Sequence, residues 1–524
     1  MKWILPLALL LSSLPFALHA IKNSGDLPGL PADEPMITGD SDVYEHAWHF
    51  WWVGSALSRG IDPRFCPLIG EPPGASVLAK NIGWPDAAIW GLVSGNEAAD
   101  ALWFALLSGT ILALLGGWAF ARSWGLGQGP SALAAFIFAW APARTAHMLQ
   151  HYQIACVGLV ALALATLKHF LDEGRIRSAV FFALFTLLAG LESPYHLLFI
   201  GSGSLAVAVL AKRSGTRRLL AAGTVLGAAA ACAALFFLTA PGGMPDVALN
   251  WRESIFYSAE PQSFLLPSPF GLFGFLAGIP LRYSWMPNVF EGVVTTGSVV
   301  TILAVLSLRH TPFRAMIAVA AAFCLLALGP ELRILGRPLG IPLPFRLLQI
   351  GPLLSWVRSP SRFAMLASLF ISVPAAWMLF KLGRKSGFLA GAALILELYA
   401  PLIPSVSGRI PAFYTRPFSE QVTILEVPAS PRILRYSLFQ TADGMPRPVY
   451  FVPRGDLSLP PGTDPFSIDS RSPVDSGLAL RSGADLIVYN RWMLDPVQRA
   501  HFDSLYSPLF QGHLHDSVAV WAAR

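Results

Sequence analysis

The sequence predicts an all-α membrane protein of about eleven transmembrane helices followed by a small α/β domain, and three observations point there. Of its 524 residues 54% are hydrophobic and only 13% charged, about half the charged fraction of a soluble domain, and mean hydropathy is +0.55. Apolar runs long enough to cross a hydrocarbon core about 30 Å thick recur at 3–20, 98–121, 130–146, 153–171, 178–192, 195–211, 219–240, 289–308, 313–329, 360–380 and 387–404. Basic residues gather in every second connection between these runs, at Lys2, Arg122, Lys168/Arg175/Arg177, Lys212/Arg213/Arg217/Arg218, Arg309/Arg314 and Lys381/Arg384/Lys385.

Cationic side chains resist translocation, so those connections are expected in the cytoplasm. The N-terminus is then inside, the C-terminus outside, and the long connections 21–97, 241–288 and 330–359 outside. The net charge of +6 is this topology signal and not a nucleic-acid footprint. The first run ends in Leu18-His19-Ala20, a poor match to the small residues of a signal-peptide cleavage site, so its retention as an anchor is expected. Cys156, Cys232 and Cys324 fall in the runs and only Cys66 outside, which leaves no disulfide framework.

Residues 1–405 therefore read as a polytopic membrane domain, with 21–97 as its first exported loop, and 406–524 as an exported α/β domain. Strand-like runs stand at 422–427, 448–452, 485–489 and 517–521, a helical pattern spans Asp495–Tyr506, and Pro/Gly/Ser-rich connectors fill most of 453–483. The sequence has no P-loop, no dinucleotide fingerprint and no short-period repeat, which argues against an engine driven by nucleotide hydrolysis.

The polar residues that matter sit at the outer ends of the runs. In the first loop, Thr38-Gly39-Asp40-Ser41-Asp42-Val43-Tyr44-Glu45-His46 leads into Ala47-Trp48-His49-Phe50-Trp51-Trp52. A helix from Asp42 puts Asp42, Glu45, His46 and His49 on one stripe and a Trp-rich face opposite. That pattern predicts an interfacial helix, its rings in the headgroup layer and its acidic stripe facing a cleft. Two carboxylates just ahead of a helix serve as a general base, as metal ligands, or as an N-cap and first-turn charge. The residues alone leave these three open.

Further on, Arg144, His147 and His151 close the third run. Histidines at i and i+4 suit Zn²⁺ on one helix face, but the local sequence spells out no third ligand. The preferred expectation is a polar cavity in which Arg144 and the imidazoles hydrogen-bond a phosphate, a sugar or the acidic loop. Glu192, Tyr195 and His196 flank Pro194 at the next outer turn, either in a similar part or as a simple Pro-broken junction. Arg358 and Arg362, four apart at the outer end of a run, oppose the positive-inside trend. A lipid phosphate or pyrophosphate explains them, because guanidinium groups bind phosphate oxygens bidentately. Ordinary headgroups, or pairing with Glu291 or Glu331, are the alternatives.

Taken together, these segments resemble the GT-C glycosyltransferase superfamily, bacterial polytopic proteins that use polyprenyl-phosphate-linked sugars outside the membrane. The matching pieces are Gly39-Asp40-Ser41-Asp42, Pro142-x-Arg144-x-x-His147-x-x-x-His151, Ser193-Pro194-Tyr195, Leu328-Gly329-Pro330, Pro342-Leu343-Pro344-Phe345 and Arg358-Ser359-Pro360-Ser361-Arg362-Phe363. The resemblance implies a GT-C-like helical bundle in the plasma membrane whose active face and C-terminal domain are extracytoplasmic. It also implies a lipid-linked sugar donor, an extracytoplasmic acceptor, and a catalytic acid at Asp40 or Asp42, Asp42 being preferred because the stripe begins there. Glu45, His46, Arg144, His147, His151, Glu192, Tyr195, His196, Arg358 and Arg362 would contact substrate. Members differ in their need for metal, and this chain lacks a clear second acidic pair, so no metal ligand is assigned and a divalent metal stays open. A flippase for a lipid-linked glycan and a non-catalytic envelope scaffold are the alternatives. A flippase would want charge along its path, and Glu397 is the main ionisable residue inside a run.

Overall fold

The computed structural model describes residues 4–22, 25–30, 41–70, 74–78, 83–94, 97–98, 100–211, 215–241, 252–279, 289–309, 311–349, 357–427, 434–448, 484–490, 496, 500, 512–515 and 518–522. In chain order its helices are α1 (Ile4–Lys22), α2 (Val43–Ser58), α3 (Trp84–Ser94), α4 (Ala101–Ser123), α5 (Gln128–Ala139), α6 (Pro142–Met148), α7 (Tyr152–Ala155), α8 (Gly158–Glu173), α9 (Ile176–Glu192), α10 (Pro194–Leu210) and α11 (Thr216–Leu238). There follow α12 (Arg252–Phe256), α13 (Leu272–Leu276), α14 (Val289–Gly292), α15 (Ser298–Ser307), α16 (Thr311–Ala327), α17 (Phe345–Leu348), α18 (Ala364–Lys381), α19 (Arg384–Leu398), α20 (Ala412–Thr415) and α21 (Arg435–Asp443). The strands are β1 (Leu27–Pro28), β2 (Phe65–Cys66), β3 (Ala75–Ser76), β4 (Glu331–Ile334), β5 (Arg337–Pro342), β6 (Ser405–Val406), β7 (Ile424–Val427), β8 (Leu486–Tyr489), β9 (Gly512–His515) and β10 (Val518–Ala522).

Packing divides the chain into two units, one of residues 1–24, 105–234 and 249–403, the other of 25–104, 235–248 and 404–524. The unit that includes 404–524 also takes in 25–104, most of the first connection.

Among the described residues, four helical stretches are long and apolar enough to cross a membrane: Ala101–Ser123, Tyr152–Glu173, Thr216–Leu238 and Pro360–Lys381. Several other expected runs are shorter helices, because the chain breaks them for identifiable reasons. The run 130–146 is split at Trp140-Ala141, where Ala141 is extended at ψ 132° and Pro142 opens α6. Proline disfavours a helical residue before it and lacks the N–H that would continue the ladder. The run 289–308 is split into α14 and α15 by residues 293–297. Gly297 turns there at φ +95° and its N–H is held by Thr295 Oγ1 at 3.1 Å.

The first unit is built around α18, whose residues Ala364 to Ala376 are all buried. It packs on α5, α15 and α16, with Phe370 against Phe120 and Phe323. Close helix approach is set by small residues: a Cβ on Gly116 would lie 2.5 Å from the Gly158 carbonyl oxygen, and one on Gly158 would lie 2.3 Å from Leu112. Glu397, the charged residue inside an expected run, accepts a hydrogen bond from Val299 N at 2.9 Å and another from Ser298 N. Its carboxylate thus satisfies free amides at the head of α15, where the helix dipole favours negative charge.

In the second unit, β7, β8, β10 and β9 form a sheet in that order, with β7 and β8 parallel and the other pairs antiparallel. Three of the four expected strands match β7, β8 and β10, whereas 449–452 of the other strand, and all of the expected helix Asp495–Tyr506 except 496 and 500, lie outside the described residues. A buried polar network backs the sheet. Glu426 accepts from Tyr414 Oη at 2.6 Å, Asn490 Nδ2 at 2.9 Å and Arg447 Nε at 3.1 Å, and Arg447 Nη2 reaches Asp443 at 2.6 Å. Backbone pairing ties the first connection to the tail, with Leu27 opposite Val406 and a parallel bridge from Ile69 to Arg447.

The helix α2 corrects an expectation. It is buried on every side from Val43 to Ala56, so its tryptophans do not lie in a headgroup layer. Trp48 Nε1 donates to Gln440 Oε1 of α21 at 2.7 Å, and Trp52 Nε1 donates to the Pro63 carbonyl at 2.8 Å. Tyr44 Oη donates to the Ser407 carbonyl at 3.0 Å and accepts from Arg435 at 2.7 Å. Buried indole and phenol groups need such partners, and here the C-terminal segment supplies most of them.

Candidate functional site

Two groups of polar residues stand out, one in each unit. In the second, Asp42 occupies the N-cap position of α2 without bonding the helix amides through its side chain, while Glu45 and His46 are buried in the first turn. Asp40 lies outside the described residues.

The first unit holds a denser cluster, and the expected residues divide into three roles. Arg144 is 1% exposed and directed at protein acceptors: the Ala155 carbonyl at 2.8 Å, the Ala139 carbonyl at 2.6 Å and Thr110 Oγ1 at 3.0 Å. It pins α6 to the elements around it and presents no donor to a ligand through those bonds. His196 is likewise fully buried, with Nε2 against the Ile154 carbonyl at 3.4 Å. Glu192 ends α9 in a buried position.

Tyr195 has a positioning role. Its hydroxyl accepts from the amides of Arg358 and Ser359 at 3.2 and 3.1 Å, and its ring lies 4.6 Å beneath the Arg362 guanidinium. The segment from Arg358 to Phe363 is thereby fastened over the head of α10, where Pro194 starts the helix.

The third role centres on Glu291, the residue that sequence reasoning did not select. Arg362 donates to its Oε1 through Nε at 2.9 Å and Nη2 at 2.6 Å, and the Ser361 hydroxyl donates to Oε2. His147 Nε2 stands 3.5 Å from Oε2. His151 is near as well, its ring 5.6 Å from that of His147. The two histidines do not share one helix: α6 ends at Met148 and His151 caps α7. Ligand atoms of His147, His151 and Glu291 all lie within 4.8 Å of one another, which makes them a group able to hold a metal ion.

Arg358 differs from Arg362. Its side chain is 33% exposed, and its ion pair with Glu253 is long, at 3.5 Å. Tyr257 lies under its guanidinium at 5.3 Å, and burial holds the Tyr257 hydroxyl above the ordinary phenol range. Of the partners weighed from sequence, Glu291 takes Arg362, while Glu331 accepts the Gly340 amide at 2.6 Å. Two motif segments prove to be backbone devices. Gly329 sits at φ +79°, where a Cβ would meet Ser258 Oγ at 1.8 Å, and Leu343 N donates to the Pro330 carbonyl at 3.0 Å.

The fold is similar to those of solved membrane glycosyltransferases. The chain is similar over 99% of its length to the arabinofuranosyltransferase AftD from Mycobacteria, with a TM-score of 0.56 and 15% identity, and spans 40% of that protein's length. It is also similar to the Archaeoglobus fulgidus oligosaccharyltransferase, solved in the apo form (TM-score 0.51, 12% identity, 97% of this chain and 72% of that one) and in complex with Zn and sulfate (TM-score 0.51, 12% identity, 94% and 68%). No protein-family model matches the sequence, and a search of the curated proteins returns no match.

Proposed function

We propose that the protein is a membrane glycosyltransferase that moves a sugar from a polyprenyl-phosphate-linked donor to an extracytoplasmic acceptor, in a membrane domain of eleven spans. The observation that carries this reading is the partly exposed Arg358, held beside the buried Arg362–Glu291 pair in a GT-C fold. A partly exposed guanidinium whose own backbone is anchored by Tyr195 suits bidentate contact with phosphate oxygens. As the bond between the sugar's anomeric carbon and the phosphate oxygen breaks, negative charge builds on the leaving phosphate, and a preoriented cation lowers that barrier. The acceptor hydroxyl or amide forms the new bond to the anomeric carbon. Asp42 or Asp40 takes its proton, a contribution of about 10²–10⁴ in rate for a positioned base. Arg144 and His196 are left out of substrate contact because their bonds go to protein acceptors. Transport is disfavoured by Glu397, whose carboxylate serves the head of α15.

The test is transfer from a panel of radiolabelled polyprenyl-phosphate sugars by purified protein in lipid, comparing wild type with Asp40→Asn and Asp42→Asn. Turnover that disappears with one of the two substitutions supports the proposal and names the acid. Turnover undiminished in both variants removes the acid from the mechanism.

A further inference from the structure

The geometry points to a divalent metal site, of the type that suits Zn²⁺, formed by His147, His151 and Glu291. His147 is 1% exposed, and its Nδ1 lies 2.8 Å from the Ala143 carbonyl. A carbonyl only accepts, so Nδ1 carries the hydrogen, as in metal-binding histidines oriented by a backbone acceptor. With that hydrogen on Nδ1, Nε2 is the ring nitrogen that faces Glu291 Oε2, 3.5 Å away. Nε2 has no hydrogen-bond partner among the described residues. Two buried acceptors facing each other need a cation between them, either a proton on Nε2 or a metal ion.

Separation and composition favour the metal. Two ligands at about 2.0–2.1 Å on a tetrahedral ion stand about 3.4 Å apart, close to the 3.5 Å between His147 and Glu291. A ring nitrogen of His151 completes the group within 4.8 Å, so closing the third leg takes a shift of about 1.4 Å or less at that tetrahedral spacing. The break between α6 and α7 at residues 149–151 is where such a shift is easiest. Two imidazoles and a carboxylate form a three-ligand zinc set that leaves a coordination position open. Glu291 keeps Arg362 and Ser361 as hydrogen-bond donors, the outer support that fixes a ligating carboxylate.

Charge then says what fills the open position. Arg362 already balances Glu291, so a divalent ion leaves the buried site with two uncompensated positive charges, and an anionic oxygen is the favoured further ligand. Building on the glycosyltransferase reading, that oxygen belongs to the donor phosphate; the metal site itself does not depend on that reading.

The experiment is Zn²⁺ binding to full-length protein in lipid nanodiscs after chelator stripping, measured by competition with a chromophoric chelator in the absence of any sugar donor. One equivalent is expected in wild type, with affinity lowered at least about tenfold by His147→Ala, His151→Asn and Glu291→Gln. His151→Asn, at the least buried ligand, guards against a folding defect, and Co²⁺ in place of Zn²⁺ should give tetrahedral visible bands that this variant loses. Absence of a stoichiometric ion, or binding unchanged in all three variants, overturns the site in favour of a protonated His147 paired with Glu291. Zn²⁺ binding with no sugar transfer would leave the site standing and sink the transferase reading. Inorganic phosphate added with Zn²⁺ should tighten binding; no effect overturns the anionic further ligand.

Discussion

The Glu291–Arg362 pair lends itself to a quantitative prediction because both partners are buried, with side chains 4% and 7% exposed, and share two hydrogen bonds of 2.9 and 2.6 Å. Glu291→Gln removes the charge that balances Arg362, and Arg362→Met takes away the guanidinium that donates two hydrogen bonds to the carboxylate. Removing one partner of a buried pair costs about 3–5 kcal/mol, chiefly because the other charge stays desolvated and unpaired, whereas replacing both is far milder. The double variant should therefore be no less stable than either single one, which makes the coupling at least as large as the bigger single effect, about 3 kcal/mol or more and so at or above the upper end for residues in direct contact. Equilibrium unfolding in graded mixed micelles, followed by circular dichroism, gives the three differences. Single effects that add within about 0.5 kcal/mol, the behaviour of independent sites, would show that the pair does not organise the cluster.

Arg358→Ala should lower kcat/KM for the lipid-linked donor by about 10–150-fold, the equivalent of a charge-assisted hydrogen bond of about 1.5–3 kcal/mol. Arg358→Lys, a point charge without the planar fork, should recover part of it, and steady-state kinetics over donor concentration check both. Gln440→Leu removes the acceptor of the Trp48 indole and should cost about 1–3 kcal/mol for the donor left unsatisfied; faster limited proteolysis within residues 41–70 is the readout, and unchanged cleavage counts against the clamp. Burial, with the Glu426 carboxylate beside it, holds the Tyr414 hydroxyl well above the ordinary phenol range. A raised folded value means that the stabilisation is complete below about pH 10, where an unfolded tyrosine keeps its proton, and is lost as pH rises beyond it. Tyr414→Phe should lose this alkaline dependence, which pH-resolved unfolding would reveal.

How much of this was legible in the sequence differs by element. The apolar character of the chain and the pairing of Arg358 with Arg362 four residues on are composition and position, which can be read without packing information. The breaks at Ala141 and Gly297 were signalled by a proline and a glycine, yet long hydrophobic windows averaged over them. Glu291 was weighed only as a partner for the arginines, because a lone carboxylate at the head of an apolar run has no motif around it. Its importance comes from His147, which lies 144 positions earlier. The clamp of α21 on α2 was equally hidden: 435–443 is a short polar helix, and its contact with Trp48 spans 392 residues. The Trp-rich stripe of α2 looked interfacial for a sound reason, since aromatic rings favour headgroups, but packing against the tail provided another apolar surface.

The central claim is transfer of sugar from a lipid-linked phosphate, and its most direct measurement is the fate of the donor. Full-length wild-type protein in lipid, given a polyprenyl-phosphate sugar labelled in both lipid and sugar, should part the two labels, leaving polyprenyl phosphate in the membrane and the sugar on an acceptor or in water. A donor that binds or changes leaflet while both labels stay together would contradict the account.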